Sequence, residues 1–291
     1  MTSATGTLGP SSAPLPPLVR GLPLLGNTIS FARDPVAALV RWHAVHGPIF
    51  RMRVGTQQFT VMGGVDANRF ITESKDGLFS NREAFVHLFN DIGTEKNMAV
   101  LDGEEHAKYR KVAQPSYSRG AMAQFIPVVD ESLRALVAGV AAGASIDVFA
   151  VMQRLISVQL GRGITNTDVE DSVDGLQRYM RFLLHAYVVR MWPRWVGRLP
   201  AFRNARATSH RVVDEVVRQH QLHAPPEGEA SALIHRFLAA HADDPVTFPM
   251  DAVRAASFGP FLAGQDTVAA TTAFTLAAIY VRPDVRERIQ H

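Results

Sequence analysis

Residues 255–281 run Ala-Ala-Ser-Phe-Gly-Pro-Phe-Leu-Ala-Gly-Gln-Asp-Thr-Val-Ala-Ala-Thr-Thr-Ala-Phe-Thr-Leu-Ala-Ala-Ile-Tyr-Val, and this stretch decides the fold. It is apolar on nearly every face, so it suits a helix buried in protein or one lying in lipid. Gln265, Asp266 and Thr267 fall at its middle. An ionised aspartate at the centre of a bilayer costs roughly 2.5–3.5 kcal/mol on the insertion scale, and no basic asymmetry at the flanks sets an orientation. The preferred reading is a central buried helix, with a membrane helix as the alternative.

Inside such a helix Gly264 costs about 1 kcal/mol of propensity relative to alanine, and Asp266 and Thr267 offer the backbone competing hydrogen bonds. Two explanations stand. In one, Gly264 lets a flat ligand or a water approach the backbone while Thr267 and Asp266 deliver protons. In the other, the group is a satisfied kink. Pro260 removes one helical hydrogen bond and crowds the preceding turn, so a kink or a helix start is expected before Phe261.

Upstream, apolar stripes of helical spacing cover 122–140, 150–160, 173–189 and 212–222, and 143–148 is expected to be a short strand. Asp34-Pro35 supplies a cap and a first-turn proline for a helix that ends at Gly47-Pro48. Two alternating runs, 49–55 and 58–64, form a hairpin. The fold class is therefore mainly α in an α+β pattern, a small N-terminal β-sheet followed by a large helical body. Residues 1–20 are a Pro/Ser-rich lead-in with neither a basic n-region nor an apolar h-region, so no signal peptide and no transmembrane anchor are expected.

Composition narrows the function. The chain has 291 residues, 47% of them hydrophobic and 20% charged, as in an ordinary folded domain. The net charge of +3 is spread without a long block of either sign, so nucleic acid is not implied. There are no cysteines, which excludes disulfides, cysteine nucleophiles and any Cys-ligated iron within these residues. His43 with His46, and His220 with His223, have metal-compatible spacing, but no third convergent ligand is identifiable and no metal site is assigned. Phosphate-cradling loops and nucleophile elbows are absent, so NTPase, kinase and hydrolase readings lose support.

Ala263-Gly264-Gln265-Asp266-Thr267 resembles the alanine-glycine-x-acid-threonine signature of the cytochrome P450 family, on the long helix that crosses the distal face of the haem. The order of the opening features is similar too: Pro23-Leu24-Leu25-Gly26-Asn27, the helix ending at Gly47-Pro48 and the hairpin. The run 102–111, followed by Pro115 and Tyr117-Ser118, looks like the family's third major helix. His106 and Arg110 lie four apart on it; that spacing suits a solvated face as well as a pair reaching two acidic groups. The resemblance implies that they donate to the haem propionates. It likewise places Phe85 and Phe89 in the segment over the active site, as substrate contacts or as core. Arg178, Arg181, Arg190, Arg194 and Arg198 around Trp192 and Trp195 fall in the helices that lid the pocket, facing solvent or a membrane surface.

The resemblance covers nearly the whole chain and implies a cytochrome P450-like domain over 21–291, with a sheet region over about 21–72 and a helical body over about 73–291. It implies haem b as cofactor, with Ala263 and Gly264 against it and Thr267 and Asp266 as catalytic proton carriers. A small-molecule substrate, an electron donor such as a ferredoxin or flavoprotein reductase, and a cytoplasmic location follow from the same source. The family's axial ligand is a cysteine thiolate. Its cysteine loop and Glu-x-x-Arg motif lie beyond the helix at which this sequence stops. The expectation is a P450-type monooxygenase incomplete at the C-terminus and inactive alone. A non-catalytic truncated remnant and an unrelated helical membrane protein are the alternatives.

Overall fold

A computed structural model describes residues 14–74, 78–223 and 233–290. Most of the expected lead-in, residues 1–13, lies outside the described residues. The chain forms two compact units, Met1–Phe79 and Ser80–His291.

The first unit contains α1 (Thr28–Arg33), α2 (Pro35–His46), β1 (Ile49–Val54), β2 (Gln57–Met62) and α3 (Val65–Glu73). Asp34 caps α2, its carboxylate accepting from the Ala37 N–H at 2.9 Å, and Pro35 sits in the first turn. The strands pair antiparallel, with Ile49 opposite Met62 and Val54 opposite Gln57. Alternation along β1 turns Phe50, Met52 and Val54 inward onto Ala38 and Trp42. The Pro/Gly segment before α1 is tied to this hairpin: Asn27 donates to the Arg20 carbonyl and accepts from the Arg53 N–H, both at 3.0 Å. Gly26 stands at φ +59°, where a Cβ would meet the Arg53 carbonyl oxygen at 2.4 Å, so only glycine fits.

The second unit contains α4 (Arg82–Ile92), α5 (Gly103–Ala113), α6 (Arg119–Ala123), α7 (Ile126–Gly139), α8 (Val148–Ile164), α9 (Val173–Leu183), α10 (Pro200–Leu222), α11 (Leu233–Asp243), α12 (Met250–Val281) and α13 (Pro283–Gln290). Helix α12 is the axis, packed on α8, α9, α10 and α11. Two apolar clusters meet along it. One gathers Phe261, Tyr109, Val216 and Ile234; the other gathers Phe258, Tyr179, Leu183 and Phe89.

The structure corrects three expectations. The helix does not start at Pro260: α12 runs from Met250 through Pro260 to Val281. The roughly 3 kcal/mol that an interior proline costs is outweighed by burying Phe258 and Phe261, both fully inaccessible. No strand forms over 143–148; Gly143 makes a turn at φ +80°, and Asp147 instead caps α8 by accepting from the Ala150 N–H at 3.0 Å. A lone strand has no ladder to complete, whereas a helix cap satisfies its own donors. The stripe 122–140 splits into α6 and α7, with Pro127 in the first turn of α7, and the stripe 173–189 passes from α9 into a π-turn at Leu184–Val188. Among the described residues no helix is long and apolar enough to cross a membrane.

Candidate functional site

A cavity of about 370 Å³ lies within the second unit. One wall is α12, through Ala256, Gly259, Leu262 and Ala263; the opposite wall includes Phe85 and Phe89 of α4 and Leu184 of the π-turn. Its surface is apolar except near Lys96, Asn97 and the tyrosines 109 and 117. Lys96 is itself paired with Glu105, so the cavity suits a neutral, apolar guest.

The signature residues meet different neighbours around α12. Ala263 lines the cavity, and Thr267, one turn further on, shares its face and is exposed. Gly264 turns instead to α8, where an added Cβ would stand 3.2 and 3.3 Å from the methyl carbons of Leu160. The glycine thus serves close approach of two helices rather than the cavity wall. Asp266 also faces α8: its Oδ1 accepts from Gln153 Nε2 at 2.5 Å, and Gln153 is buried. Beside it the Oε1 of buried Gln265 has no hydrogen-bond partner.

On α5, His106 is half-buried and Arg110 exposed, with fully buried Tyr109 between them. The side chains of His106 and Arg110 form no hydrogen bond or ion pair with the described residues. Phe85 and Phe89 line the cavity and also pack in the Phe258 cluster. In the lid region Trp192 stacks on His185 at 4.7 Å, whereas Trp195 is exposed.

A polar hub that sequence reasoning missed holds the lid to α4. The Asp91 carboxylate accepts from the hydroxyls of Tyr179 and Tyr187, each at 2.7 Å, and Arg206 Nη2 donates to the Asp91 carbonyl at 2.6 Å. Burial, aided by the bond to Asp91, pushes the Tyr187 hydroxyl up to about 12; burial and the Asp91 charge raise Tyr179 as well. The hub joins α4, α9, the π-turn and α10, and π-turns recur at functional sites. No local pattern announces it, because Tyr179 lies 88 residues from Asp91.

Three histidines in this unit are held neutral. Burial lowers His185, with Arg181 adding to the effect and Asp266 opposing it. Burial also lowers His210 and His220. A histidine whose folded pKa lies below its unfolded value binds fewer protons when folded, so its contribution is full above about pH 6.5 and is lost as pH falls toward the folded value. The urea midpoint is therefore expected to drop steadily between about pH 7 and pH 5. A midpoint that is flat or rises over that range would contradict the assignment.

The sequence profile of the cytochrome P450 family matches residues 16–291. Cyclooctat-9-en-7-ol 5-monooxygenase of Streptomyces melanosporofaciens is 22% identical over 276 residues, 92% of this chain and 59% of that protein. Lanosterol 14-alpha demethylase of Cunninghamella elegans is 23% identical over 283 residues, 93% of this chain and 54% of that protein. Among solved structures, retinoic acid-bound cyanobacterial CYP120A1 superposes with a TM-score of 0.74 at 19% identity, covering 96% of this chain and 63% of its own. The fold, with its helical body and two-stranded sheet, is that of these proteins. The chain belongs to the cytochrome P450 family. It spans between half and two thirds of the length of these relatives.

Proposed function

We propose that this chain forms the distal, substrate-facing part of a haem monooxygenase, one that inserts an oxygen atom from dioxygen into a small apolar molecule and releases the second as water. The carrying observation is that Ala263 on the cavity wall shares a helix face with Thr267, while Asp266 is held beside them by Gln153. The family implies haem, and the residues present fit its distal side: an apolar wall for the ring, and two donors on α5, His106 and Arg110, without protein partners for its two carboxylates. Haem with a thiolate ligand supplies the reductive activation of dioxygen. These 291 residues contain no cysteine, so that ligand is not among them.

Within that reading His106 and Arg110 bind the propionates of haem b, and Ala263 packs against the ring. With haem bound, Thr267 would offer a hydroxyl proton on the face it shares with Ala263, and Asp266, oriented by Gln153, would replenish it. Gly264 supports the wall indirectly by letting α12 settle on α8. Phe85, Phe89 and Leu184 exclude water and orient the substrate. Electrons come from a ferredoxin or a flavoprotein reductase in the cytoplasm.

Haem titration of the purified chain tests the distal half-site. Haem uptake is expected, without the thiolate-type band in the reduced, carbon monoxide-bound spectrum. His106→Ala and Arg110→Ala should each weaken uptake by about 10-fold, the worth of one charge-assisted hydrogen bond of roughly 1.5 kcal/mol. No uptake, or variants that bind as well as the parent, would remove this reading of α5.

A further inference from the structure

We propose that His220 and His235 form a binding site for one divalent transition-metal ion of the zinc class, outside the cavity described above. His220 closes α10 and His235 sits in the first turns of α11, and their rings lie 4.5 Å apart, centre to centre, at 57°.

The hydrogen bonds fix which nitrogen of each ring is free. His220 Nδ1 lies 2.8 Å from the Val216 carbonyl, and His235 Nε2 lies 3.0 Å from the His223 carbonyl. A carbonyl only accepts, so each of these nitrogens carries the proton and the other nitrogen of each ring carries a lone pair. Those two atoms, His220 Nε2 and His235 Nδ1, are both buried and both lack a hydrogen-bond partner. His220 is only 6% exposed, so water does not readily satisfy its lone pair. A buried acceptor without a donor calls for a cation, and the two rings lie close enough for one ion to serve both.

A zinc-class ion answers that need in detail. Metal-bound histidines almost always donate their second ring N–H to a carbonyl or carboxylate, which fixes tautomer and orientation; both rings here already do so. The spacing also suits one shared ion: with metal–nitrogen bonds of about 2.0–2.1 Å, two imidazoles on a tetrahedral ion place their ring centres roughly 5 Å apart, and these stand at 4.5 Å. Among the described residues no cluster of three or more His, Cys, Asp or Glu side chains is found, so the described residues supply two ligands. Spacing alone pairs His220 with His223, but the fold gives His223 a different part: its carbonyl orients His235, and its own ring bonds the Gln219 carbonyl at 3.0 Å.

The test is calorimetric titration of the full chain, purified without a histidine tag, with Zn2+ alone, followed by the visible spectrum of the Co2+ form. One ion per chain and the intense ligand-field bands of tetrahedral Co2+ are expected. His220→Ala and His235→Ala should each weaken binding by at least about 10-fold, the lower end of what loss of an outer-shell partner alone costs. His46→Ala, in the other histidine pair, should leave it unchanged. His235→Asn, checked for an unaltered far-ultraviolet dichroism spectrum, separates ligand loss from misfolding. If Zn2+ does not bind, or if the His235 variants bind as tightly as the parent, the two rings share only a proton and the proposal is overturned.

Discussion

Replacing Asp91 by alanine is expected to destabilise the second unit by about 3 kcal/mol or more, a large part of the stability of an ordinary domain. The variant removes the carboxylate that accepts from Tyr179 and Tyr187, leaving the fully buried Tyr179 hydroxyl only its longer contact, 3.3 Å, to the Asp91 carbonyl. Each buried hydroxyl left without a partner costs roughly 1–3 kcal/mol. The ion pair with Arg206 adds little, because Arg206 is half exposed and the contact is 3.5 Å long. Asp91→Asn retains one oxygen and should lose about half as much. Urea unfolding of the full chain reads both. A loss below about 1 kcal/mol in the alanine variant would show that water replaces the carboxylate and that the hub is not what fastens the lid.

That hub marks the limit of what the sequence discloses. The helices and the hairpin were legible because each depends on local rules: the Asp34-Pro35 cap, the alternation of Phe50, Met52 and Val54, and the apolar run of 255–281. Pro260 does not mark the helix start because its cost is local while its compensation, the burial of Phe258 and Phe261, is tertiary. The residues 143–148 misled because a β-prone run without a partner strand forms none. At the site the motif identified the right turn of α12 but not its rotation. Ala263 meets the cavity, whereas Gly264 and Asp266 meet α8, and only the positions of Leu160 and Gln153 reveal this. Asp91, Gln153 and His235 carry no motif at all; their roles exist only once partners distant in sequence are brought together.

The face of α12 after Thr267 is the second consequence of that rotation. Phe274 and Tyr280 are about three quarters exposed, and Leu276 and Val281 lie beside them in sequence, exposed as well. Such a surface is apolar without being packed, so the stability of α12 rests on its first half, where Ala252, Val253, Phe258 and Phe261 are buried against α9, α10 and α11. Changes in that first half should therefore be felt across the whole unit, and changes beyond Thr267 should be mild except at Ala269, which is fully buried against Met152, Leu155 and Ile156 of α8.

Tyr109→Ala is expected to be as damaging as Asp91→Ala, at about 3–5 kcal/mol, and to separate holding a helix from binding a ligand. The ring of Tyr109 is 1% exposed, lies 4.7 Å from Phe248 and 5.9 Å from Phe237, and its hydroxyl donates to the Thr247 carbonyl at 2.7 Å. Through these contacts it fixes α5 against α11 and the turn before α12, and so fixes the face from which His106 and Arg110 project. Tyr109→Phe keeps the ring and loses one hydrogen bond, worth about 0.5–1.5 kcal/mol; it should unfold slightly earlier and take up haem as the parent does. Arg110→Ala should behave in the opposite way, since an exposed side chain without a protein partner contributes within about 0.5 kcal/mol to stability, while haem uptake weakens. If Tyr109→Phe lost haem uptake as completely as Arg110→Ala, the hydroxyl would be acting on the ligand itself, and α5 would have to be oriented by something other than the packing of this ring.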